Sequence, residues 1–157
     1  KSYKEGKSKM KESELIALAL QAREKAYTPY SHFKVGAALL TKSGNVYTGC
    51  NIENAAYTPS NCAERTAFFK AVSEGEREFA AIAIVGGAAN AAELDYCAPC
   101  GVCRQVMMEF CDPETFEVIL VQSGEDYQVY LLKDVLPMGF GPGNLGKREP
   151  GKNMKDQ

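Results

Sequence analysis

The sequence predicts an α/β protein with one mixed five-stranded sheet and helices on both of its faces. The spacing of apolar residues changes between helical and strand periods, and the predicted elements follow the order α-β-β-α-β-α-β-β. Only five residues join the last two predicted strands, which suits an antiparallel hairpin because a parallel pair needs a much longer crossover. A length of 157 residues with 45% hydrophobic residues is typical of a single domain, which we expect over residues 12–145.

The first helix and the first hairpin are marked by a change in apolar spacing. Ser13 can cap a helix that ends at Thr28-Pro29. The apolar face of this helix is a set of residues at helical spacing: Leu15, Leu18, Ala19, Ala22 and Ala26. Alternating apolar residues over 33–39 predict a strand, turn residues follow at 42–45, and 46–50 continues the period of two.

Two further helices and three further strands are predicted in the rest of the chain. Helical spacing returns over 62–73 and again over 101–110. The strands are apolar runs or short alternating segments at 79–85, 116–121 and 127–131. The uninterrupted run at 79–85 is typical of a strand that is buried on both faces. Residues 86–98 are expected to form a loop or a short helical turn.

Charge and composition argue against several classes of function. Eighteen basic and twenty acidic side chains give a net charge of −2, which argues against a nucleic-acid partner because such surfaces are usually basic. The longest apolar run, at 79–89, is too short to span a bilayer, so no membrane partner is expected. Six cysteines at metal-like spacing, with no visible signal peptide, predict a reducing and cytoplasmic location. The polar ends, 1–11 and 146–157, are expected to be a mobile arm and tail.

Two cysteine motifs contain the residues best suited to catalysis. Cys62-Ala63-Glu64 supplies one thiolate and a carboxylate, and Pro99-Cys100-Gly101-Val102-Cys103 supplies two more thiolates. Three thiolates can hold one zinc ion and leave its fourth position open to water, as in catalytic rather than structural zinc sites. A carboxylate such as Glu64 that is not a ligand can then move protons to and from that water.

The predicted helix starts favour the thiolate form of all three cysteines. Cys62 opens one helix, and Cys100 and Cys103 lie in the first turn of the next, where unpaired N–H groups and the helix dipole stabilise negative charge. A zinc ion (+2) with three thiolates (−3) carries a net charge of −1, which weakens its ability to acidify water. Arg65, directly after Glu64, can donate hydrogen bonds to the thiolates and offset that charge.

The same residues also fit two simpler arrangements. Glu64 follows Asn61 by three positions, so the pair can be an ordinary helix-capping arrangement. Cys97 and Cys100 form a rival pair with the same spacing. A helix that starts at Pro99 favours the later pair of cysteines, because both of them then lie in its first turn.

With these motifs in place, the chain resembles the cytidine deaminases of the small homotetrameric class. The resemblance covers residues 15–145 and rests on four stretches: Phe33-Lys34-Val35-Gly36-Ala37-Ala38, Asn51-Ile52-Glu53-Asn54-Ala55, Cys62-Ala63-Glu64-Arg65-Thr66-Ala67 and Pro99-Cys100-Gly101-Val102-Cys103-Arg104-Gln105. The broader zinc-deaminase signature has histidine at the first ligand, where this chain has Cys62, as in the three-cysteine branch. The resemblance implies a three-layer α/β/α fold around the mixed sheet.

The resemblance implies zinc as the cofactor and a role for each motif residue. Cys62, Cys100 and Cys103 would hold the zinc ion. Glu64 would take a proton from zinc-bound water, the resulting hydroxide would attack C4 of cytosine, and Glu64 would then protonate the ring nitrogen and the leaving amine. Cytidine or deoxycytidine would thereby give uridine or deoxyuridine and ammonia, a reaction of pyrimidine salvage.

The resemblance also implies how a nucleoside would be held. Asn51 and Glu53 would hydrogen-bond the ribose hydroxyls, and their spacing on extended backbone points both side chains the same way. Phe33 would pack against the nucleoside, and the backbone near Ala63 would bind the base. On residue pattern alone, Asn51 and Glu53 fit a polar loop after a strand, and Phe33 fits a core position in a strand.

In homotetramers of this class, neighbouring subunits complete each site. Phe140 matches the C-terminal phenylalanine that reaches an adjacent site, and Tyr57 matches an interface tyrosine near the pocket. Simple packing is the alternative for both residues. The segment 86–98 and the polar tail are less typical of the class, which leaves the pocket rim and the breadth of substrates open.

Three other functions compete with this one. A deaminase of bases within RNA or DNA would favour a basic groove and aromatic platforms, and as families such enzymes tend to have a parallel last strand. A deaminase of another aminopyrimidine nucleoside, such as a nucleoside antibiotic, would use the same fold. A non-enzymatic zinc-stabilised binding module would need neither an open coordination position nor Glu64.

Overall fold

The computed structural model describes residues 12–146, so the arm expected at 1–11 and the tail from 147 onward lie outside the described residues. The strands are β1 (Phe33–Thr41), β2 (Val46–Cys50), β3 (Phe79–Ala88), β4 (Glu117–Val121) and β5 (Tyr127–Leu131). The helices are α1 (Glu12–Arg23), α2 (Ala63–Ser73), α3 (Gly101–Phe110) and α4 (Leu132–Val135), with a 3-10 helix at Pro142–Leu145. Within 12–146, no helix combines the length and the apolar character that crossing a membrane requires.

The five strands form one mixed sheet with the order β2-β1-β3-β4-β5. β1 is antiparallel to both β2 and β3, β3 and β4 run parallel, and β4 and β5 form an antiparallel hairpin. α3 lies in the connection between the parallel strands and supplies the long crossover that they need. The predicted mixed sheet and the predicted antiparallel last hairpin are therefore confirmed.

Helices cover both faces of the sheet, as the sequence predicts. On the face covered by α2 and α3, the rings of Phe79 and Phe116 lie with centroids 5.1 and 6.2 Å from that of Phe68. On the other face, α1 contributes Leu15 and Ile16 to a second buried cluster. The sheet is therefore the middle of three layers.

β1 is buried on both faces, which its alternating sequence does not predict. Ala37 and Leu39 belong to the core on the side of α2 and α3, and Ala38 and Leu40 belong to the core on the side of α1. Phe33, by contrast, is 42% exposed at the start of the strand. β1 is buried on both faces because it lies between β2 and β3, with helices packed on either side of the sheet.

Two glycines allow the helices to lie close against the sheet. A Cβ at Gly36 would be 2.2 Å from the carbonyl oxygen of Ala19 in α1, and a Cβ at Gly49 would be 2.3 Å from the carbonyl oxygen of Ala63 in α2. Backbone cannot approach a Cβ this closely, so both positions require glycine. The contact at Gly49 sets the first turn of α2 against β2, directly after Cys62.

α1 is shorter than the sequence predicts. It ends at Arg23, and three successive backbone hydrogen bonds of the i to i−3 type then tighten residues 24–26 into turns. Ile16 is buried, whereas Leu18 is only partly buried. The buried face is therefore turned toward Ile16 relative to the predicted set.

β3 is longer than the sequence predicts. It continues to Ala88, so the expectation of a loop from residue 86 is wrong for its first three positions. Gly86 and Gly87 are typical of loops, but here they pair with β1. A Cβ at these two positions would lie 2.8 Å from the sulfur of Cys97 and 2.6 Å from a methyl group of Leu94, respectively, so side chains of the following loop fill the space above them.

Candidate active site

Three cysteine thiols from two helix N-termini converge on one point. Cys62 is the N-cap residue of α2, Cys100 is the N-cap residue of α3, and Cys103 lies in the first turn of α3. Their Sγ atoms lie within 4.8 Å of one another, and those of Cys62 and Cys100 are 3.7 Å apart. Tetrahedral zinc–thiolate bonds of about 2.3 Å place two sulfurs about 3.8 Å apart, so the three thiols fit a zinc ion.

The surroundings of the thiols favour negative charge on the cluster. A hydrogen bond from Cys103 lowers the pKa of Cys62 to about 5, with a further contribution from Arg65. The contact with Cys62, together with burial, raises the pKa of Cys103. The dipoles of α2 and α3 also stabilise negative charge at their N-caps. The cluster therefore holds thiolate, the form that a metal ion binds.

Glu64 lies beside the thiols and is almost fully buried. It is 4% exposed, and its Oε2 accepts a hydrogen bond from Cys103 Sγ at 3.1 Å. Burial raises the pKa of its carboxyl group. The helix-capping interpretation is wrong, because Cys62 is the N-cap residue and no side chain caps the helix. Asn61 instead donates its Nδ2 to Thr66 Oγ1 at 3.2 Å.

Arg65 brings a positive charge to the same cluster. Its Nη2 donates to Cys62 Sγ at 3.4 Å, and this contact raises the pKa of the guanidinium. Its Nε is buried and has no hydrogen-bond partner among residues 12–146. Arg65 Nε is therefore a free hydrogen-bond donor, within residues 12–146, beside the negatively charged thiol cluster.

Cys97 is close to the cluster without belonging to it. Burial, followed by the charges of Glu64 and Cys62, raises its pKa to about 11. Within the described residues, the cysteines that lie together are Cys62, Cys100 and Cys103, which favours this set over the rival pair of Cys97 with Cys100.

Asn51 and Glu53 both reach toward the segment that leads into β1. The Asn51 side chain accepts the N–H of Val35 through Oδ1 at 2.8 Å and donates to the carbonyl of Phe33 through Nδ2 at 2.8 Å. Glu53 Oε1 accepts the backbone N–H groups of residues 30 and 31 at 3.0 and 3.1 Å. A hydrogen bond from the Ser31 side chain, together with these backbone bonds, lowers the pKa of Glu53. An amide and a carboxylate have hydrogen-bonding capacity beyond these contacts, so both can also bind the hydroxyls of a ligand.

The other predicted pocket residues differ in burial. Ala63 is fully buried at the start of α2. Tyr57 is 72% exposed, and its ring makes an edge-on contact with Tyr30 at 6.0 Å between centroids. Phe140 is 57% exposed, and its carbonyl oxygen accepts a hydrogen bond from Gln105 Nε2 at 2.8 Å. The rings of Tyr57 and Phe140 are therefore accessible for contacts outside the described chain.

A cavity of about 410 Å³ lies next to Phe33, and most of its wall comes from residues that no sequence motif marks. Its lining combines Phe33 with the end of β3 at 86–88 and with residues of the irregular segment 91–97. That segment has neither helical nor strand spacing, so no periodic signal marks it as part of a pocket. Cys97, at its end, is the one sequence feature that links it to the thiol cluster.

Residues 9–119 match the family model of the cytidine and deoxycytidylate deaminase zinc-binding region. The chain is 49% identical over 131 residues to the cytidine deaminase of Sporosarcina psychrophila, a match that covers 83% of this chain and 92% of that protein. It is 52% identical over 126 residues to the cytidine deaminase of Halalkalibacterium halodurans, with coverage of 80% and 91%.

The chain is also similar to solved structures of cytidine deaminases. The crystal structure of cytidine deaminase from Burkholderia pseudomallei matches with a TM-score of 0.75 at 52% identity, covering 83% of this chain and 100% of that one. The crystal structure of cytidine deaminase from Mycobacterium tuberculosis matches with a TM-score of 0.71 at 36% identity, covering 85% and 99%. The residues matched by the family model include the three cysteines of the cluster.

Proposed function

The chain belongs to the cytidine and deoxycytidylate deaminase family, and on this premise we propose that it hydrolyses free cytidine and deoxycytidine to uridine and deoxyuridine, with release of ammonia. This is a reaction of pyrimidine salvage. The observation that carries the proposal is the buried carboxylate of Glu64, 3.1 Å from a sulfur of a three-thiol cluster. A purely structural metal site has no need of such a group, whose burial is costly.

Cys62, Cys100 and Cys103 are proposed to hold the zinc ion, and the spacing of their sulfurs supports this assignment. When bound, zinc supplies a Lewis acid with an open position that lowers the pKa of a water toward about 7. Arg65 offsets part of the negative charge of the thiolates through its 3.4 Å contact with Cys62. That contact preserves the acidity of the site.

Glu64 is proposed to carry the proton. Its carboxylate accepts a proton from the attacking water, and burial favours the protonated form that results. Glu64 passes this proton to the ring nitrogen, then takes the second proton of the added water from the hydroxyl group on the ring and passes it to the leaving amine. Glu64 Oε2 lies 3.1 Å from Cys103 Sγ, so a protonated Glu64 can donate a hydrogen bond to that thiolate.

Four residues are proposed to bind the nucleoside. Asn51 and Glu53 bind the ribose hydroxyls, and their hydrogen bonds to the segment 30–35 hold both side chains in place before a ligand arrives. Phe33 is partly exposed at the cavity and packs against the nucleoside. The backbone at Ala63 binds the base, since N–H groups in the first turn of a helix have no partner within the helix.

We further propose a homotetramer in which Tyr57 and Phe140 of one subunit complete the sites of its neighbours. The exposure of both rings supports this arrangement. Other large apolar side chains are also exposed and include Tyr27, Ile52, Phe69, Val102 and Met138. Extensive exposed apolar surface is typical of protein interfaces. A cytoplasmic location, with no nucleic-acid partner, is proposed from the composition and the net charge of −2.

Ammonia release by the zinc-loaded full chain tests the function. Cytidine and deoxycytidine are compared with a cytosine-containing oligonucleotide and with other aminopyrimidine nucleosides. We expect deamination of the first two, loss of activity with a zinc chelator, and recovery when zinc is restored. Activity confined to the oligonucleotide or to another nucleoside, or none at full zinc occupancy, would overturn the proposal.

Complementation tests the shared sites. Chains carrying Glu64→Gln and chains carrying Phe140→Ala are unfolded together, refolded and assayed, with each variant refolded alone as the control. A mixed tetramer contains sites that have both an intact Glu64 and a neighbour's Phe140, so activity should exceed that of either variant alone. A chain that sediments as a monomer, or mixtures without recovery, would contradict the shared site.

A further inference from the structure

Arg23 ends α1 with its guanidinium buried between the helix and the sheet. It is 8% exposed. Its Nε donates to the carbonyl of Lys34 at 3.1 Å, and its Nη2 donates to the carbonyls of Gly87 at 3.0 Å and Ala88 at 2.9 Å. These carbonyls lie at the start of β1 and the end of β3. The side chain of Arg23, from the helix on the face away from α2 and α3, therefore links the two strand ends.

The strand ends that Arg23 holds form part of the cavity wall. Phe33 pairs with Ala88 in the sheet, and Lys34 pairs with Gly87. Phe33, Gly87 and Ala88 all line the cavity of about 410 Å³. From the side of β2, Asn51 donates to the carbonyl of Phe33 at 2.8 Å. The backbone around Phe33 is therefore held by α1 through Arg23 and by the residue that follows β2.

The charge of Arg23 is compensated mainly by backbone carbonyls. Its ion-pair contact with Glu24 is 3.6 Å long, and the Glu24 side chain is 71% exposed, so this pair stabilises little. An apolar residue in its place would leave the buried carbonyl of Gly87 without this donor, and an unsatisfied buried polar group is costly. What the guanidinium adds is a rigid fork of donors that fixes the relative position of three carbonyls.

From this geometry we propose that Arg23 is a positioning residue for nucleoside binding. It acts through Phe33, whose backbone it holds against the end of β3 so that the ring meets the nucleoside at a fixed angle. This inference rests on the proposed function, because it assigns Arg23 to the nucleoside pocket. Arg23 itself touches no reacting group.

Arg23→Gln is compared with the control Arg77→Gln. Arg77 also donates to two backbone carbonyls, those of Val72 at 2.8 Å and Glu76 at 2.7 Å, but it lies beyond the C-terminal end of α2. In the zinc-loaded full chain, Arg23→Gln should raise the KM for cytidine about fivefold to tenfold, which is the value of one aromatic contact. Its kcat and zinc content should stay unchanged, and Arg77→Gln should leave KM unchanged.

Arg23→Lys keeps the charge but not the fork, so its KM should fall between those of the wild type and Arg23→Gln. It also supplies the measurement if Arg23→Gln does not fold. If Arg23→Gln and Arg23→Lys both lower kcat and leave KM unchanged, Arg23 has only a structural role.

A double-mutant cycle tests whether Arg23 acts through Phe33. If it does, the KM of the Arg23→Gln, Phe33→Leu double variant should match that of Phe33→Leu alone, because the second change has nothing left to disturb. If the KM increase of the double variant equals the product of the two single increases, Arg23 does not act through Phe33.

Hydrogen exchange separates this inference from the proposed function. Arg23→Gln should speed amide exchange at 33–35 and 86–89 at least about tenfold relative to Arg77→Gln, because it frees those strand ends. Unchanged exchange there refutes the inference even if the enzyme deaminates cytidine. Faster exchange supports the positioning of the strand ends even if cytidine is not the substrate.

Discussion

Replacing Glu64 with glutamine should remove the proton carrier and preserve the shape of the site. The carboxylate lies 3.1 Å from Cys103 Sγ, and glutamine has nearly the same size and can donate its amide N–H to a thiolate at that position. An amide does not accept a proton at neutral pH. A positioned acid or base contributes about 10²- to 10⁴-fold in rate, or about 3–5 kcal/mol of barrier. Because Glu64 is proposed to act first as base and then as acid, we expect kcat to fall at least about 10³-fold.

The Glu64→Gln chain should nevertheless fold and bind zinc normally. None of the three thiols is changed, so metal analysis should find the same zinc content as in the wild type. Glu64 is 4% exposed, and burial disfavours its charged form. A neutral amide avoids that cost, so the thermal midpoint should be equal to that of the wild type or higher.

The assay follows the loss of cytidine absorbance alongside zinc content and thermal melting. The control is Glu114→Gln, which removes an exposed carboxylate that pairs with Lys133 at 2.9 Å and should leave kcat unchanged. A Glu64→Gln enzyme with full zinc and a kcat within about tenfold of the wild type would refute the assignment of Glu64 as proton carrier.

Three further predictions concern packing, metal binding and thiol chemistry. Gly49→Ala should lower the free energy of unfolding by about 1–3 kcal/mol or more, because its Cβ would lie 2.3 Å from a carbonyl oxygen of α2. The control Gly124→Ala adds a Cβ in open space and should change the free energy of unfolding by less than about 0.5 kcal/mol. Chemical denaturation measures both values. Cys103→Ser should lose zinc and activity in metal analysis and assay, whereas Cys97→Ser should keep its zinc. After zinc removal, brief alkylation at neutral pH should label Cys62 before Cys97 in mass spectra, because their pKa values are about 5 and about 11; equal labelling would contradict this order.

The sheet is predictable from the sequence because most strand signals are local. The alternation over 46–50 and the apolar run at 79–85 depend on each strand's own residues. The double burial of β1 is not predictable in this way, since it depends on the neighbours that the strand acquires in the sheet. Gly86 and Gly87 likewise resemble loop residues, because the side chains that cover them come from a later part of the chain.

The thiol cluster is predictable because helix starts have a signature in the sequence. The helix starts expected at Cys62 and near Pro99 coincide with the observed starts of α2 and α3, and those starts bring the sulfurs together. The role of Glu64 is harder to predict, because its spacing from Asn61 fits a helix cap equally well. The N-cap position decides against the cap, because the helix begins one residue later, with Cys62 rather than Asn61 as its N-cap.

The two faces of the sheet contribute differently to the proposed site, and Gly36 sets the distance of α1 from one of them. α2 and α3 supply the thiols and the carboxylate, whereas α1 supplies Arg23, which holds the strand ends beside Phe33. A Cβ at Gly36 would lie 2.4 Å from the backbone nitrogen of Arg23, so Gly36→Ala must lift the last turn of α1 away from β1. The guanidinium would then lose its carbonyls. Gly36→Ala should therefore reproduce the rise in KM expected for Arg23→Gln, with zinc content unchanged, in the same deamination assay. A folded Gly36→Ala enzyme with an unaltered KM would mean that the position of α1 does not influence the pocket.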